Sequence, residues 1–300
     1  LRYTTSGTLA ATAPFDFDKS LAFIGGFGPM AGEQAIGERT LAKAVCIAGQ
    51  PIVFQVAPAG AAEQPALAYT LLAEQPIEPG TQRLAEDRIA CFLSLNDDLR
   101  PFYALAERDP IFAPIARRLH GYHQVRFLTP FESAAWAVLT QRNALPIART
   151  LKQRLVERYG APIEAAGMRH WAFPEAATLA QANPAELYAL LPNLRRAEYL
   201  QAAAMAFAGA DEGWLHGAPY AEVAAWLRAI SGIGAWSASF ILLRGLGRME
   251  QLPAGEAKLA AAVSRHYGAG RALGDSAIRT IAEHYGAYQG YWAHYMRVAG

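Results

Sequence analysis

Residues 227–240 read Leu-Arg-Ala-Ile-Ser-Gly-Ile-Gly-Ala-Trp-Ser-Ala-Ser-Phe, and no other stretch of the chain restricts the fold as much. An amphipathic helical run ends at Ile230, the backbone turns through Ser231-Gly232-Ile233-Gly234, and a second helix begins at once with small residues. The two glycines permit positive φ and a close approach to another surface, and they leave the first amides of the second helix pointing outward. At the positive end of a helix dipole such amides make a seat for a phosphate. Gly232, Ile233, Gly234, Ala235, Trp236 and Ser237 are therefore candidate contacts to a nucleic-acid backbone. The same residues also suit an ordinary glycine turn between packed helices.

Such a turn grips phosphates through main-chain amides, so it needs little net positive charge. That matters because the formal net charge is only +1. The charge is unevenly spread: residues 1–100 carry 7 Lys+Arg against 11 Asp+Glu, whereas 101–300 carry 20 against 15 and all seven histidines. Any nucleic-acid surface is expected in the second part. The 300 residues suit two or three packed domains. No run approaches the roughly 20 apolar residues of a membrane span, and no basic-then-apolar leader opens the chain, so a soluble, cytoplasmic and nucleoid-associated protein is expected. Cys46 and Cys91 sit in apolar segments and are too few for a disulfide framework or a four-cysteine metal site. The spacing of the histidines suggests no zinc site.

The reading along the chain is α+β: a small N-terminal antiparallel β-sheet domain with a helix over 1–98, then a mostly helical, two-lobed domain over 99–300. Apolar runs at 41–48 and 52–57, separated by Gly49-Gln50-Pro51, predict a hairpin, and 67–72 predicts a further strand. Residues 15–23 are apolar and aromatic and read with the strands, 57–62 read as an exposed loop, and 82–95 as a helix. Beyond Asn96 the pattern is helical, broken by Pro and Gly, with helices expected over 130–139, 145–159, 184–190, 195–208, 221–230, 237–245, 255–267 and 276–285. Thr129, Pro130 and Glu132 have the form of a capping box.

The run L-x-x-I-x-G-I-G-x-W-S-A, followed by Leu252-Pro253-Ala254-Gly255 and the carboxylate Glu256, resembles the helix-hairpin-helix (HhH-GPD) DNA glycosylases, in particular the AlkA-like 3-methyladenine branch. Thr129-Pro130-Phe131-Glu132 through Gln141-Arg142-Asn143 is similar to the block whose following loop supplies a wedge into the gap left by a flipped base. The resemblance implies lobes of about 125–245 and of 99–124 plus 246–300. Double-stranded DNA containing damaged bases would be the partner, no membrane would be involved, and the protein would be a monomer.

The resemblance places the catalytic acid at Glu256, 20 positions beyond Trp236. A fixed carboxylate there would stabilise the cationic sugar formed as the base departs. The family uses Asp almost throughout; with Glu, either the pocket is re-spaced for the longer arm or the site is crippled. Glu256 also suits a plain helix-start acid. Trp236 stands where bifunctional relatives carry a Schiff-base lysine, and no Lys occurs between Lys152 and Lys258, so a monofunctional enzyme is expected, leaving an abasic site. Trp236, Phe240, Tyr288 and Tyr291 are the candidate base pocket, although aromatics at such spacing also serve as core. Near the C-terminus, the position of a further pocket Trp of the branch falls near Arg297. Arg142 is the natural wedge residue, and equally a solvated arginine. No cofactor is required by this reading, and the resemblance implies one cation (Na, K or Mg) on the carbonyls of Arg228, Ser231 and Ile233 at the hairpin. A damaged-DNA-binding protein that has lost catalysis, and an all-helical protein scaffold, are the competing readings.

Overall fold

The computed structural model describes residues 2–253 and 255–299; Ala254 of the proline turn lies outside them. An antiparallel sheet is built from β1 (Tyr3–Ala10), β2 (Gln34–Ile36), β3 (Leu41–Ile47), β4 (Gln50–Ala61) and β5 (Gln64–Ala73), in the order β1-β5-β4-β3-β2. Along β5, Leu67, Tyr69, Leu71 and Ala73 are buried at two-residue spacing, which fixes the face turned inward. The β3–β4 turn has positive φ at Ala48 and Gly49, as a two-residue hairpin demands. The stretch expected as a loop at 57–62 instead extends β4, pairing Ala57 with Ala68 and Ala61 with Gln64. Pro58 is tolerated because β3 pairs with β4 only up to Val56, so beyond that point one edge of β4 is free.

Residues 15–23 do not form a strand. The Asp16 carboxylate accepts from the amides of Asp18 and Lys19 and starts α1 (Phe17–Gly26), whose buried residues Phe17, Ser20, Leu21 and Ile24 follow the helical period. Helix α2 (Pro79–Phe92) buries Ala85, Ile89 and Phe92 in the core that the sheet shares. The helical part comprises α3 (Arg100–Ala106), α4 (Ala113–Arg118), α5 (Pro130–Leu139), α6 (Leu145–Tyr159), α7 (Ala176–Ala180), α8 (Pro184–Leu190), α9 (Leu194–Ala208), α10 (Glu212–Gly217), α11 (Tyr220–Ala229), α12 (Ala235–Arg244), α13 (Ala257–Tyr267), α14 (Asp275–Glu283) and α15 (Gln289–Ala299). It also contains a hairpin that the helical reading lacked, β6 (Ala161–Ala165) and β7 (Met168–Ala172). Its Ile163, Ala165 and Ala172 pack on Ala44 and Val53 of the large sheet.

One continuous core joins the inner sheet face to α1, α2, α5, α6, α9, α11 and α12. A second gathers α3, α4, α13, α14 and α15 around Phe102, Tyr285, Tyr291, Trp292 and Tyr295. No helix among the described residues is long and apolar enough to cross a membrane.

A buried chain of alternating charge pins β3 and the segment before β2 to α5 and α6. Lys43 meets Glu33 at 2.8 Å, Glu33 also meets Lys152, and Lys152 reaches Glu132 at 2.7 Å. Only half of the capping box forms: Thr129 accepts from the Glu132 amide at 3.0 Å, while the Glu132 carboxylate turns to Lys152. Burial alone would raise the Glu33 carboxyl, but Lys152 and Lys43 hold it at about 2, below the ordinary 4.5. A depressed folded pKa stabilises above the unfolded value, and the benefit disappears as pH falls from 4.5 towards 2. Glu33→Gln should therefore cost roughly 3 kcal/mol at neutral pH. In thermal melts it should lose less between about pH 5 and about pH 3 than the wild type. Equal acid sensitivity of the two proteins would show that this chain is not what acid breaks.

Candidate active site

Helix α11 ends where the Ile230 amide donates to Leu227 O at 3.1 Å, and the Ile233 amide donates to Ile230 O at 3.0 Å, closing the turn. Helix α12 starts with Ala238 N donating to Gly234 O at 2.9 Å, and no side chain caps it. The amides of residues 235–237 thus have no partner within the helix, the arrangement that the expected phosphate contact requires. Gly232 has φ +86, and a Cβ there would lie 2.2 Å from the Tyr199 ring, so this turn admits only glycine. Gly234 has open space around it. Ala235 and Trp236 are exposed, whereas the side chains of Ile233 and Ser237 are buried and leave only their main chain for a backbone contact.

The expected wedge loop lies against this turn. Gln141 Nε2 donates to Gly232 O at 2.7 Å, and Arg196 Nη2 donates to Gln141 O at 2.9 Å. Gln141 is thereby a strut between loop and hairpin rather than a free finger. Asn143 Nδ2 returns to Leu139 O at 2.8 Å and closes the end of α5. Arg142 stands exposed between them with φ +55, a left-handed conformation uncommon for a residue other than glycine.

Trp236, Phe240 and Arg244 recur every four residues and share one face of α12. Trp236 stacks on Phe240 with ring centroids 5.4 Å apart, and Phe240 meets Phe127 at 5.9 Å. Phe127 contacts Phe27, which stacks on Phe23 at 5.0 Å. The aromatic wall expected from Trp236 and Phe240 is therefore continued by α1 and the turn after it, in the N-terminal part. The Arg244 guanidinium caps it, 4.5 Å from the Phe27 ring and 5.0 Å from Phe23.

Glu256 is the residue immediately before α13, but its carboxylate does not cap that helix. Instead Arg297 Nη1 donates to Oε1 at 3.2 Å. The same nitrogen lies 3.0 Å from Oε2 without an aligned hydrogen bond, so this oxygen keeps its acceptor capacity. The Glu256 side chain is 11% exposed. Its charge is felt by Arg244, which connects the acid electrostatically to the face of α12. A depression of about 60 Å³ abuts it, bounded by Pro253, Asp275 and Arg279. A larger cavity of about 710 Å³ lies elsewhere, between β3, β7 and α6, and includes none of the candidate residues.

Tyr288 and Tyr291 do not join the wall. Tyr291 is buried with its hydroxyl on Asp97, and Tyr288 packs on Phe102 and donates to Asp98 O at 3.1 Å. Both belong to the second core, where an aromatic-rich helix has the same composition as a pocket lining. Sequence reasoning also passed over Phe23, Phe27, Phe127, Arg196 and Arg244. The four-residue recurrence through Arg244 was the readable signal for the last of these; the others come from distant segments. Arg228 and Ser231 are exposed at the hairpin.

Because, of the two turn glycines, Gly232 meets a ring and Gly234 does not, Gly232→Ala should cost about 2 kcal/mol or more. Gly234→Ala, at φ −85 in open space, should stay within about 0.5 kcal/mol. Chemical denaturation of the two variants checks this, and equal losses would remove Tyr199 as the reason for the turn.

The model of the HhH-GPD superfamily base excision DNA repair proteins matches residues 135–286, about half of the chain. A DNA-3-methyladenine glycosylase of Bacillus subtilis is 30% identical over 174 residues, 57% of each chain. A probable bifunctional transcriptional activator/DNA repair enzyme AlkA of Mycobacterium tuberculosis is 27% identical over 201 residues, 60% of this chain and 40% of the relative. The chain thus spans about half the length of these curated relatives. In fold, the structure is similar to a 3-methyladenine DNA-glycosylase from Archaeoglobus fulgidus, with TM-score 0.78 at 20% identity over 97% of both chains. The segment matched by the family model holds the loop at 140–143, the glycine turn, the aromatic face of α12 and the acid before α13: the chain belongs to the HhH-GPD superfamily of base excision DNA repair proteins.

Proposed function

We propose that the protein is a monofunctional DNA glycosylase that extrudes a damaged purine from duplex DNA and hydrolyses its bond to the sugar, leaving an abasic site. The observation that carries this reading is the Glu256 carboxylate, nearly buried, oriented by Arg297 and with Oε2 free of an aligned donor. The amides after Gly234 seat a phosphate, Arg142 fills the vacated stack, and the flipped base lies against Trp236 and Phe240. As the glycosidic bond breaks, positive charge builds on the deoxyribose, and the fixed carboxylate stabilises it and orients the attacking water. Trp236 at the position of the lysine leaves no amine in the hairpin for strand cleavage.

The names borne by the relatives from Bacillus subtilis and Archaeoglobus fulgidus support alkylated purines as the substrates, with 3-methyladenine, 7-methylguanine and hypoxanthine as the bases to test. Arg228 O, Ser231 O and Ile233 O receive no backbone hydrogen bond among the described residues, so they fit a monovalent cation or Mg bracing the turn. Such an ion would lend positive potential to the phosphate seat; the cleavage itself does not pass through it.

Glu256→Gln should lower the rate of base release from methylated duplex DNA by about 100-fold or more, with binding to an abasic-analogue duplex retained. Unchanged release would remove Glu256 from the chemistry. The second reading, a damaged-DNA-binding protein without turnover, is favoured by the ion pair itself, since Arg297 offsets the charge that catalysis would use. On that reading the wild type is inert while still binding the abasic-analogue duplex, and Glu256→Asp creates activity. Wild-type turnover excludes it.

A further inference from the structure

Among the described residues, the buried cations around the candidate active site are paired, with one exception. Arg126 meets Asp97 at 2.8 Å and Lys152 meets Glu132 at 2.7 Å, and the exposed Arg297 is paired as well, 3.0 Å from Glu256. His294, packed between Phe23 and Tyr122, is held neutral because burial, together with Arg244 and Arg297, lowers its pKa well below 6.5. Arg244 is 3% exposed and has no carboxylate against it. The Gln124 amide, oriented to match its neighbours, accepts from Nη1 at 3.2 Å, while Nη2 has no hydrogen-bond partner. Burial lowers the pKa of Arg244 to about 10, which still leaves it cationic at neutral pH. Its surroundings therefore hold one uncompensated positive charge. That charge sits two helical turns along α12 from Trp236, at the end of the aromatic wall.

A charge in such a place acts on whatever stacks against the wall. When an uncharged purine departs, the C1′–N9 bond breaks and its electron pair goes to N9, so negative charge spreads over the ring and any exocyclic oxygen. Water adds to C1′, its proton passes to Glu256 or solvent, and the base later takes up a proton. When an N-methylated purine bearing formal positive charge departs, the same electron pair leaves the base neutral. A fixed guanidinium in a low-dielectric wall stabilises the developing anion of the first and opposes entry of the second.

We propose that Arg244 biases this site towards uncharged purine lesions, such as hypoxanthine or ethenoadenine, over cationic 3-methyladenine and 7-methylguanine. The inference rests on the glycosylase reading above and orders its substrates. Arg244 is a positioning residue: it acts through the field it imposes on the pocket, not by touching the base.

The test measures single-turnover release from duplexes carrying one lesion each, with every rate divided by the spontaneous loss of the same base. The wild type is expected to give the larger enhancement on the uncharged class. Arg244→Gln should lower that enhancement by about tenfold or more while leaving or raising the cationic class, and Arg244→Lys should keep the wild-type order. A larger wild-type enhancement on the cationic class overturns the inference while leaving the glycosylase reading standing. An equal fall of both classes in Arg244→Gln also overturns it, because a merely structural role would produce that result. Should Arg244→Gln not fold, the wild-type order and the lysine variant decide. Release of neither class by the wild type overturns the glycosylase reading and this inference with it.

Discussion

Helix α12 is packed on two flanks, with Leu243 against the second core as well as its face in the large core, and that restriction organises the functional half of the molecule. Ala238, Ile241 and Leu242 enter the large core, and Gly245 at the helix end lies so near α5 that a Cβ would fall 2.1 Å from Ser133 Oγ. With the helix held at both its flank and its end, residues spaced by four on the remaining side must face the aromatic rings of Phe127, Phe27 and Phe23. The same fixed rotation sets where the free amides at its N-terminus point. The aromatic wall and the direction of the N-terminal amides are thus two consequences of one packing arrangement, since neither can be turned without disturbing the core.

The loop at 140–143 gains its position in the same way. Through Gln141 it borrows a carbonyl from the hairpin turn, and through Arg196 it is tied to the first turn of α9. Residues far apart in sequence are brought to one rim by two hydrogen bonds, and Arg142 projects because its neighbours on both sides are committed. A left-handed non-glycine residue at such a point is strain sustained by the surrounding anchors.

How much of this was legible depended on how local its cause was. The bounds of α5 follow from Thr129 and Pro130, and the hairpin at Gly49 follows from glycine between apolar runs, so both could be read directly. Helix α1 was hidden because a short apolar, aromatic stretch fits either period; Asp16 as a cap was the overlooked signal. The β6–β7 hairpin depends on the large sheet offering it a surface, which no local pattern records. In the candidate site, Trp236 and Phe240 were named from the family resemblance together with their four-residue spacing, whereas Phe23 and Phe127 come from other segments and join them only through tertiary packing. Tyr291 was misplaced because a phenol on an amphipathic helix looks the same whether its hydroxyl meets Asp97 or a ligand. Arg244 shows the limit most sharply: a sequence shows a positive charge, but not that its counter-charges are already taken.

That last point bears on why a glutamate can stand before α13. One further methylene moves the carboxylate away from its own helix terminus, and no capping bond to that helix is made. Arg297, two residues before the end of α15's described chain, supplies the missing constraint from a different helix of the second core, which is itself stiffened by packed aromatic rings. A longer side chain loses more rotamer freedom when held, so it needs a partner that fixes direction as well as charge, and a guanidinium provides both. The ion pair leaves Oε2 without an aligned donor and offsets the acid's charge at the same time. Under the proposed function, the field at the sugar follows from Glu256 with its ion-pair partner Arg297 and from the more distant charge of Arg244, so the acid cannot be assessed apart from the two arginines.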